Sequence, residues 1–435
     1  MSAPRVTILT LGCKVNSYDS ATIADRLRAA GCELVDERAP ADVVIVNSCT
    51  VTDIADAESR QLARRARRRN PAARVILTGC YAQTKPTEAA AVEAIDIVVG
   101  LNRIDDLVTS VTAPTLPVAR ILVDNSRHAT AVRTFGARTF PGQTRAFLKV
   151  QEGCDLFCTF CIVPMARGKS RSLSPRAILA ELDALADAGF EEVVLTGVHL
   201  GGYGNDLDPV VDLTWLVAAL AEHGRVPRLR LSSIDPHEIT EPLLRVMAQA
   251  PNVCPHLHVP LQAADDGVLR RMRRRNDVRM ARDRLAMMHD LLPDIFIGTD
   301  LITGFPGEDD AAFANTVAFL EANPVSAFHV FPYSIRSGTT AAKLDGHLPP
   351  AVIKARAKQL RDLGAAQHAA FARRFDGTTA EVLVESRDPR TGALRGYTRN
   401  YLRTQLSGPD AWIGRRVPVA LRVSAAGEVA GEACL

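Results

Sequence analysis

Residues 146–161 read AFLKVQEGCDLFCTFC, and this stretch decides how the centre of the chain folds. Its first part, Ala146–Val150, is a short apolar run typical of a buried strand. Its second part places Cys154, Cys158 and Cys161 in one loop, where three thiolates can converge on a single inorganic centre. An iron–sulfur cube normally takes four cysteine ligands, so three cysteines leave one iron open, as in catalytic metal sites. The loop therefore indicates a reactive iron–sulfur cluster. The alternatives are a zinc knuckle or three unrelated thiols.

The alternation of strands and helices continues after this loop. Five more short strands are predicted, at Glu192–Thr196, Leu229–Ser232, His256–Leu261, Ile295–Gly298 and Ala327–Phe331. Together with the first strand they predict an open, incomplete (β/α)6 barrel over residues 143–374, with its active-site loops at the carboxyl ends of the strands. His256 and His258 share one strand face, and without a third partner in the sequence they favour a structural or substrate contact over metal ligation.

Two loops at that end of the barrel contain glycines that let the backbone approach a ligand closely. They follow the second and fifth predicted strands, and the alternative is that they are turns that simply need glycine and proline. Beside a three-cysteine cluster they indicate contacts with a nucleotide-like cofactor, and the candidate residues are Phe160, Thr196, Gly197, Ile302 and Gly304.

A second cysteine set marks the N-terminal domain, residues 1–112. Short β-branched runs alternate with helical stretches there, which predicts a doubly wound parallel sheet of α/β class. Cys13, Cys49 and Cys80 each follow directly after one of the first three predicted strands. Because the carboxyl ends of parallel strands form one ligand-binding edge, we expect these thiols to meet and hold a second cluster. The alternative is that they are small buried residues that cap strands.

Composition limits the class of protein. The chain has 435 residues, of which 47% are hydrophobic and 23% charged, which suits a soluble protein of two or three domains. No apolar run is long enough to span a membrane, and the start of the chain does not resemble a signal peptide. Nine cysteines without an export signal favour reduced thiols and metal ligation, so the expected location is cytoplasmic.

The last part of the chain, residues 375–435, predicts a small all-β barrel of five short strands, joined to the rest by the final barrel helix. Residues 113–142 are predicted to be a linker with a little edge structure. The net charge of +3 is too small to imply nucleic acid, but arginines cluster locally. An RNA-binding role is predicted for Arg64, Arg68, Arg271, Arg274, Arg395, Arg399 and Arg403. The alternative is an ordinary solvated surface.

Four motifs give the chain a specific resemblance. They read TLGCKVNSYDS at 10–20, NSCTVT at 47–52, LTGCYA at 77–82 and IVPMARG at 162–168. With the C-x3-C-x-aromatic-C loop around Phe160, they resemble the radical S-adenosylmethionine (SAM) methylthiotransferase family over nearly the whole chain. The family has an N-terminal three-cysteine domain, a radical-SAM barrel and a C-terminal TRAM barrel.

The resemblance implies two [4Fe–4S] clusters and SAM as cofactors. Cys154, Cys158 and Cys161 would hold the cluster whose open iron binds SAM, and Cys13, Cys49 and Cys80 would hold an auxiliary cluster that carries the sulfur. The GCKVN form around Cys13 most resembles the branch that adds a methylthio group to C2 of N6-threonylcarbamoyladenosine at position 37 of tRNA. Other branches act on isopentenyladenosine in tRNA or on an aspartate of a small-subunit ribosomal protein.

The implied partners are the tRNA anticodon loop, an electron donor and a sulfur donor, with no membrane, and the chain is expected to act as a monomer. One departure stands near the presumed substrate mouth. Many relatives read Gln-Ser-Gly after the fourth barrel strand, where this chain has Gln262-Ala263-Ala264. The change removes a hydroxyl and a flexible glycine.

Overall fold

The computed structural model describes residues 3–113, 120–130, 132, 136–140 and 142–434. It contains three folded parts in chain order: an N-terminal α/β domain, a central open barrel and a small closed β-barrel at the tail. The predicted fold class is confirmed.

The N-terminal domain is a parallel sheet covered by helices. Its strands are β1 (Arg5–Thr10), β2 (Glu33–Leu34), β3 (Val43–Ser48), β4 (Arg74–Gly79), β5 (Ile97–Val99) and β6 (Ile121–Leu122), in the order β2-β1-β3-β4-β5-β6. The helices are α1 (Lys14–Ala29), α2 (Asp53–Arg69), α3 (Cys80–Thr84), α4 (Pro86–Ala90) and α5 (Ile104–Thr112). Strand β3 is buried along its whole length, as its run of β-branched residues predicts for a central parallel strand.

The segment predicted to be a linker contributes to this sheet. Strand β6 pairs in parallel with β5, through Val98 opposite Ile121. Further along, Ala137 and Phe140 are buried in the core of the central barrel. The rest of the segment, residues 114–119, 131, 133–135 and 141, lies outside the described residues.

The central part is the predicted open barrel. Its six parallel strands are β7 (Ala146–Glu152), β9 (Glu192–Gly197), β10 (Arg228–Leu231), β11 (His256–His258), β12 (Phe296–Thr303) and β13 (Ala327–Pro332), and a short β8 (Arg171–Ser172) pairs antiparallel with β7. Two sheets, β10-β9-β7-β8 and β11-β12-β13, are joined by parallel bridges such as Ser233 to His258.

Helices surround the central barrel on its outer side. They are α6 (Val163–Arg167), α7 (Pro175–Asp187), α8 (Leu213–His223), α9 (Glu241–Gln249), α10 (Asp266–Arg271), α11 (Val278–Leu291), α12 (Asp310–Ala322) and α13 (Pro350–Arg373). Serine, threonine or aspartate side chains cap several of their first turns, as Ser174 does for α7 by accepting a hydrogen bond from the Ala177 amide. No helix among the described residues is long and apolar enough to cross a membrane.

The tail folds as a closed barrel of five strands. They are β14 (Thr379–Arg387), β15 (Leu394–Thr398), β16 (Arg403–Leu406), β17 (Arg416–Val423) and β18 (Val429–Ala433), in the order β14-β15-β16-β18-β17. Closure leaves the barrel without an exposed sheet edge.

Buried arginines of the central barrel attach the tail barrel through hydrogen bonds to its backbone carbonyls. Within the central barrel, Arg230 donates two hydrogen bonds of 2.6 and 3.0 Å to the Glu192 carboxylate, and each of these side chains is only 1% exposed. The same arginine donates to the Arg399 carbonyl of the tail at 2.9 Å. Arg228 donates to the Tyr397 carbonyl at 3.2 Å, and the Tyr401 ring packs on His256. The tail is therefore a docked part of one body rather than a loosely tethered module.

We expect Glu192→Gln to destabilise the protein by about 3 kcal/mol at neutral pH, because it leaves buried arginines without their counter-charge. Burial alone would raise the pKa of Glu192, but Arg230, Arg145 and Arg228 hold it below its ordinary value. The charge therefore stabilises the fold above the unfolded pKa of about 4.3, and this contribution is lost as the pH falls through the lower, folded value.

Denaturant unfolding at pH 7 and at a series of acidic pH values would measure both effects. The matched control is Glu241→Gln, because Glu241 pairs with Arg245 on the exposed surface of α9. The free energy of unfolding of this control should fall by no more than about 1 kcal/mol. Equal stability of the two variants at pH 7 would contradict the assigned role of Glu192.

Candidate iron–sulfur and substrate site

Three cysteines meet at one edge of the N-terminal sheet. Cys13 follows β1, Cys49 follows β3, and Cys80 follows β4 as the first residue of α3. These strands are neighbours in the order β1-β3-β4, so the topology alone brings the thiols together. Cys49 and Cys80 are buried, whereas Cys13 is exposed at the domain surface. Cys80 interacts electrostatically with both of the others.

Two glycines make this close approach possible. Gly12 has φ +105°, and a Cβ added to it would lie 3.1 Å from the sulfur of Cys49. Gly79 has φ +92°, and its Cβ would lie 2.4 Å from the Ser48 carbonyl oxygen. A larger residue at either position would therefore push apart the loops that carry the cysteines.

The second set of cysteines lies in the loop after β7, at the carboxyl end of the barrel strands. All three of its thiols are partly exposed. Arg274 reaches the loop from the segment after α10, with its Nη1 atom 3.7 Å from the sulfur of Cys158. Asp235 holds that guanidinium with hydrogen bonds of 2.6 and 3.2 Å. A buried positive charge therefore stands beside one sulfur of this site.

Burial raises the pKa of Cys80, Cys154 and Cys161 to about 12 each. These thiols are therefore protonated in the metal-free protein at neutral pH. Because metal binding requires thiolates, cluster assembly at either site must release protons.

The spacing of the donors separates a cluster from a single metal ion. Thiolates around one zinc ion lie about 3.8 Å apart, given Zn–S bonds of about 2.3 Å. Among the described residues, the sets of three ligand atoms within 4.8 Å of one another are His199, His237 and Glu238, and His258, Asp300 and His329. Neither set includes a cysteine. The two cysteine sites are thus wider than a zinc site, and three soft donors around a wider space fit an iron–sulfur cluster.

A cavity of about 210 Å³ is lined by residues from both cysteine-bearing loops. Val51 and Thr52 line it from the loop that begins at Cys49, and Phe160 lines it from the loop that ends at Cys161. Arg336 closes one side and pairs with Asp53 of the N-terminal domain at 2.7 Å. The cavity therefore borders one loop of each cysteine site.

The predicted SAM contacts divide into two groups. Phe160 and Ile302 line the cavity, whereas Thr196, Gly197 and Gly304 are not among the described residues that line it. A Cβ on Gly197 would meet Gln151 at 3.0 Å and one on Gly304 would meet Ile353 at 2.4 Å. Both glycines therefore serve close packing at the strand ends.

Gln262 also lines the cavity, with φ +67°. The two alanines that stand where many relatives have Ser-Gly have a structural explanation, since Ala263 and Ala264 are 4% and 3% exposed. The Ala264 amide donates to Thr316 of α12 at 3.1 Å. The two alanines pack inside the protein, so only Gln262 of this trio faces the substrate mouth.

The histidines of β11 have separate roles. The Nε2 atom of His258 donates to the Asp300 carboxylate at 2.9 Å, and Asp300 lines the cavity. His256 stacks on Phe296 and on Tyr401 of the tail. The first therefore contacts a residue of the cavity wall, and the second packs between the central barrel and the tail.

The seven predicted RNA-binding arginines fall into two groups, those that are exposed without a partner and those that are paired within the protein. The guanidinium groups of Arg64, Arg68 and Arg403 are exposed and make no hydrogen bond or ion pair with any described residue. The other four have internal partners: Arg271 pairs with Asp345, Arg274 with Asp235, Arg395 with Asp388, and Arg399 with the Val253 carbonyl. Arg274 in particular lies beside the Cys158 sulfur and is only 5% exposed, and the RNA-binding role of all seven arginines stays a prediction.

Sequence reasoning missed the polar residues that line the two cysteine sites. Asn16, Arg167, Asp235 and Arg336 have no signal in spacing or composition. Asn16 and Arg167 do stand inside two of the motifs that carried the family resemblance. The available clue was that these two polar residues stand in the same motifs as, or directly after, candidate cysteine ligands.

The fold and the two sites define a radical-SAM enzyme. The profile of the radical SAM superfamily matches residues 148–320, and that of a family described as "uncharacterized protein family UPF0004" matches residues 5–100. A solved structure of the radical SAM methyltransferase TsrM from Kitasatospora setae, with a [4Fe–4S] cluster bound, has a TM-score of 0.54. It is 14% identical and covers 76% of this chain and 72% of its own, so the likeness concerns the fold.

Curated relatives narrow the class. The threonylcarbamoyladenosine tRNA methylthiotransferase MtaB of Bacillus subtilis is 37% identical over 96% of this chain and 93% of its own length. The MtaB of Aquifex aeolicus is 35% identical over 93% of this chain and 97% of its own length. A tRNA-2-methylthio-N(6)-dimethylallyladenosine synthase of Parafrankia is 34% identical over 95% of this chain and 86% of its own length. The chain belongs to the MtaB family of radical-SAM methylthiotransferases, and it uses SAM and [4Fe–4S] clusters.

Proposed function

We propose that this enzyme adds a methylthio group to C2 of N6-threonylcarbamoyladenosine at position 37, beside the anticodon of tRNA. The observation that carries the proposal is the cavity bordered by both cysteine loops. A base inserted there would lie between the site that activates SAM and the site that holds sulfur. The names of the MtaB relatives support the choice of threonylcarbamoyladenosine.

We assign Cys154, Cys158 and Cys161 to the SAM-binding cluster and Cys13, Cys49 and Cys80 to the auxiliary cluster. When bound, these groups supply the one-electron chemistry that cleaves SAM and the sulfur that is transferred. The protein residues position them. Asp235 fixes Arg274 beside Cys158, and Arg336 pins the N-terminal domain over the cavity through Asp53 and Asp56. Phe160 and Ile302 give the cavity apolar walls that restrict water.

The reaction also needs partners that the chain does not contain. An electron donor must reduce the SAM-binding cluster, and a sulfur donor must restore the auxiliary cluster after each turnover. Because the proposed substrate is tRNA, we expect the enzyme to act in the cytoplasm, as a monomer.

Mass spectrometry of tRNA nucleosides tests the proposal directly. A strain without this protein should accumulate threonylcarbamoyladenosine and lack its methylthio derivative, and the intact gene should restore the product. Purified enzyme should then be supplied with tRNA carrying threonylcarbamoyladenosine, tRNA carrying isopentenyladenosine, or the small-subunit ribosomal protein. Product on either of the last two substrates alone would overturn the assigned substrate and leave the cluster chemistry intact.

We expect Arg64, Arg68 and Arg403 to bind tRNA phosphates, because their charges are exposed and unpaired among the described residues. Replacing all three with glutamine should weaken tRNA binding. The slope of log K against log salt should become shallower by about 1 for each phosphate that the variant no longer neutralises. Fluorescence anisotropy across a salt series would measure it.

Reductive SAM cleavage without tRNA should not change in this variant. Arg282→Gln, which removes an exposed charge from α11, is the matched control and should bind tRNA normally. An unaltered salt slope in the triple variant would show that tRNA approaches another face. Deleting the tail would be a poorer test, because removal of its barrel exposes Arg228 and Arg230.

A further inference from the structure

Arg167 connects the two cysteine sites. It is the last residue of α6, the short helix that begins two residues after Cys161. Its side chain is 3% exposed and donates hydrogen bonds in two directions. One goes to Glu152 of β7 at 2.8 Å, within the barrel, and others go to Asn16 at 2.6 Å and Asp19 at 3.0 Å, in the N-terminal domain. A single guanidinium thus spans the boundary between the domains.

Asn16, the partner of Arg167, holds the other site together. Its Nδ2 atom donates to the Leu11 carbonyl at 2.6 Å and to the Ser48 carbonyl at 3.0 Å. Those carbonyls belong to the loops that lead into Cys13 and Cys49. Its Oδ1 atom accepts from Arg167 and lies 4.0 Å from the sulfur of Cys80. Arg167 therefore fixes the residue around which the three N-terminal cysteines are arranged.

The charges around Arg167 complement a bound cluster. Lys149 and Arg167 are balanced by Asp19 and Glu152 in a buried network. Arg171 adds a further positive charge and donates to backbone carbonyls of Ala129 and Arg167, with no carboxylate partner among the described residues. Lys149, Arg167 and Arg171 against Asp19 and Glu152 leave this wall one formal positive charge, which Asp155 and Asp206 partly offset at Arg171, whereas a dicationic [4Fe–4S] core with three thiolates is net negative.

We infer that Arg167 is a positioning residue that fixes the auxiliary cluster relative to the SAM-binding loop and raises its reduction potential. The inference rests on the proposed assignment of Cys13, Cys49 and Cys80 to that cluster. Positive charge close to a cluster favours its reduced, more negative state, and Arg167 interacts electrostatically with Cys80, which is the physical basis of the shift. The contacts to Asn16 and Glu152 supply the positional constraint.

The test uses the full chain with Cys154, Cys158 and Cys161 replaced by alanine, so that only the auxiliary cluster is present. In that background Arg167→Met and Arg167→Gln should lower the midpoint potential in an EPR-monitored redox titration, and Arg167→Lys should fall between them and the parent. Arg274→Met is the matched control, because Arg274 is another buried arginine but lies beside Cys158. It should leave the auxiliary potential unchanged.

Iron content measured on the same samples decides the remaining outcomes. If both uncharged variants lose iron while Arg167→Lys keeps it, loading depends on the charge and the positioning role is supported. Equal loss in Arg167→Lys, or retained iron with an unchanged potential, overturns the inference and leaves the proposed function standing. If the background protein itself binds no iron, the auxiliary-cluster assignment fails and the inference fails with it.

Discussion

We expect replacement of Cys13, Cys49 and Cys80 by alanine to abolish methylthio transfer while reductive cleavage of SAM continues. Cleavage needs only the open iron held by the barrel loop, whereas transfer needs a sulfur held at the N-terminal sheet edge. Incubation with SAM and dithionite, followed by chromatography, would measure 5′-deoxyadenosine and methylthio nucleoside in the same sample. Deoxyadenosine should persist, and the modified nucleoside should be undetectable.

A control variant separates this result from a general loss of thiols. Cys32 and Cys434 lie outside both sites, one buried in the N-terminal core and one exposed near the end of the chain. Alanine at both positions should leave both products unchanged. Continued methylthiolation by the triple variant would mean that Cys13, Cys49 and Cys80 only cap strands, which is the structural alternative for these residues.

Replacement of Cys154, Cys158 and Cys161 by alanine should remove SAM cleavage as well as methylthio transfer. SAM cleavage and transfer should both fall to background, because the cluster that would bind SAM is lost. About half of the iron should stay bound at the N-terminal site, since each cluster would hold four irons. Iron analysis after anaerobic reconstitution and assay of 5′-deoxyadenosine would test this. Complete loss of iron would show that the N-terminal site does not load independently, and the two-cluster assignment would fail.

The two cysteine sites differ in how much the sequence reveals. Cys154, Cys158 and Cys161 are local, so their spacing alone brings them into one loop. Cys13, Cys49 and Cys80 are far apart in sequence, but each follows a strand, and the rule that parallel strands share a carboxyl edge predicted that they meet. The order β1-β3-β4 in the structure explains why the prediction worked.

Binding surfaces were harder to predict because exposure and pairing depend on distant residues. The arginine runs predicted seven RNA contacts, but Asp235, Asp345 and Asp388 occupy three of these guanidinium groups. Their positions relative to the arginines follow from packing, not from spacing. Gly197 at the end of β9 and Gly304 after β12 likewise stand in turn-forming sequences, yet their close neighbours are Gln151 and Ile353 from other elements.

The sequence by itself determined the architecture and which cysteines stand at strand ends or share one loop. Hydrophobic periodicity and strand-terminal cysteines are local properties of the chain, and they survive any arrangement of the surrounding side chains. Only the tertiary structure decided what lies between the sites. The cavity walls, the docking of the tail through Arg228 and Arg230, and the span of Arg167 from Glu152 to Asn16 join residues far apart in the chain. Such contacts are selected by burial and charge pairing in three dimensions, which no local pattern encodes.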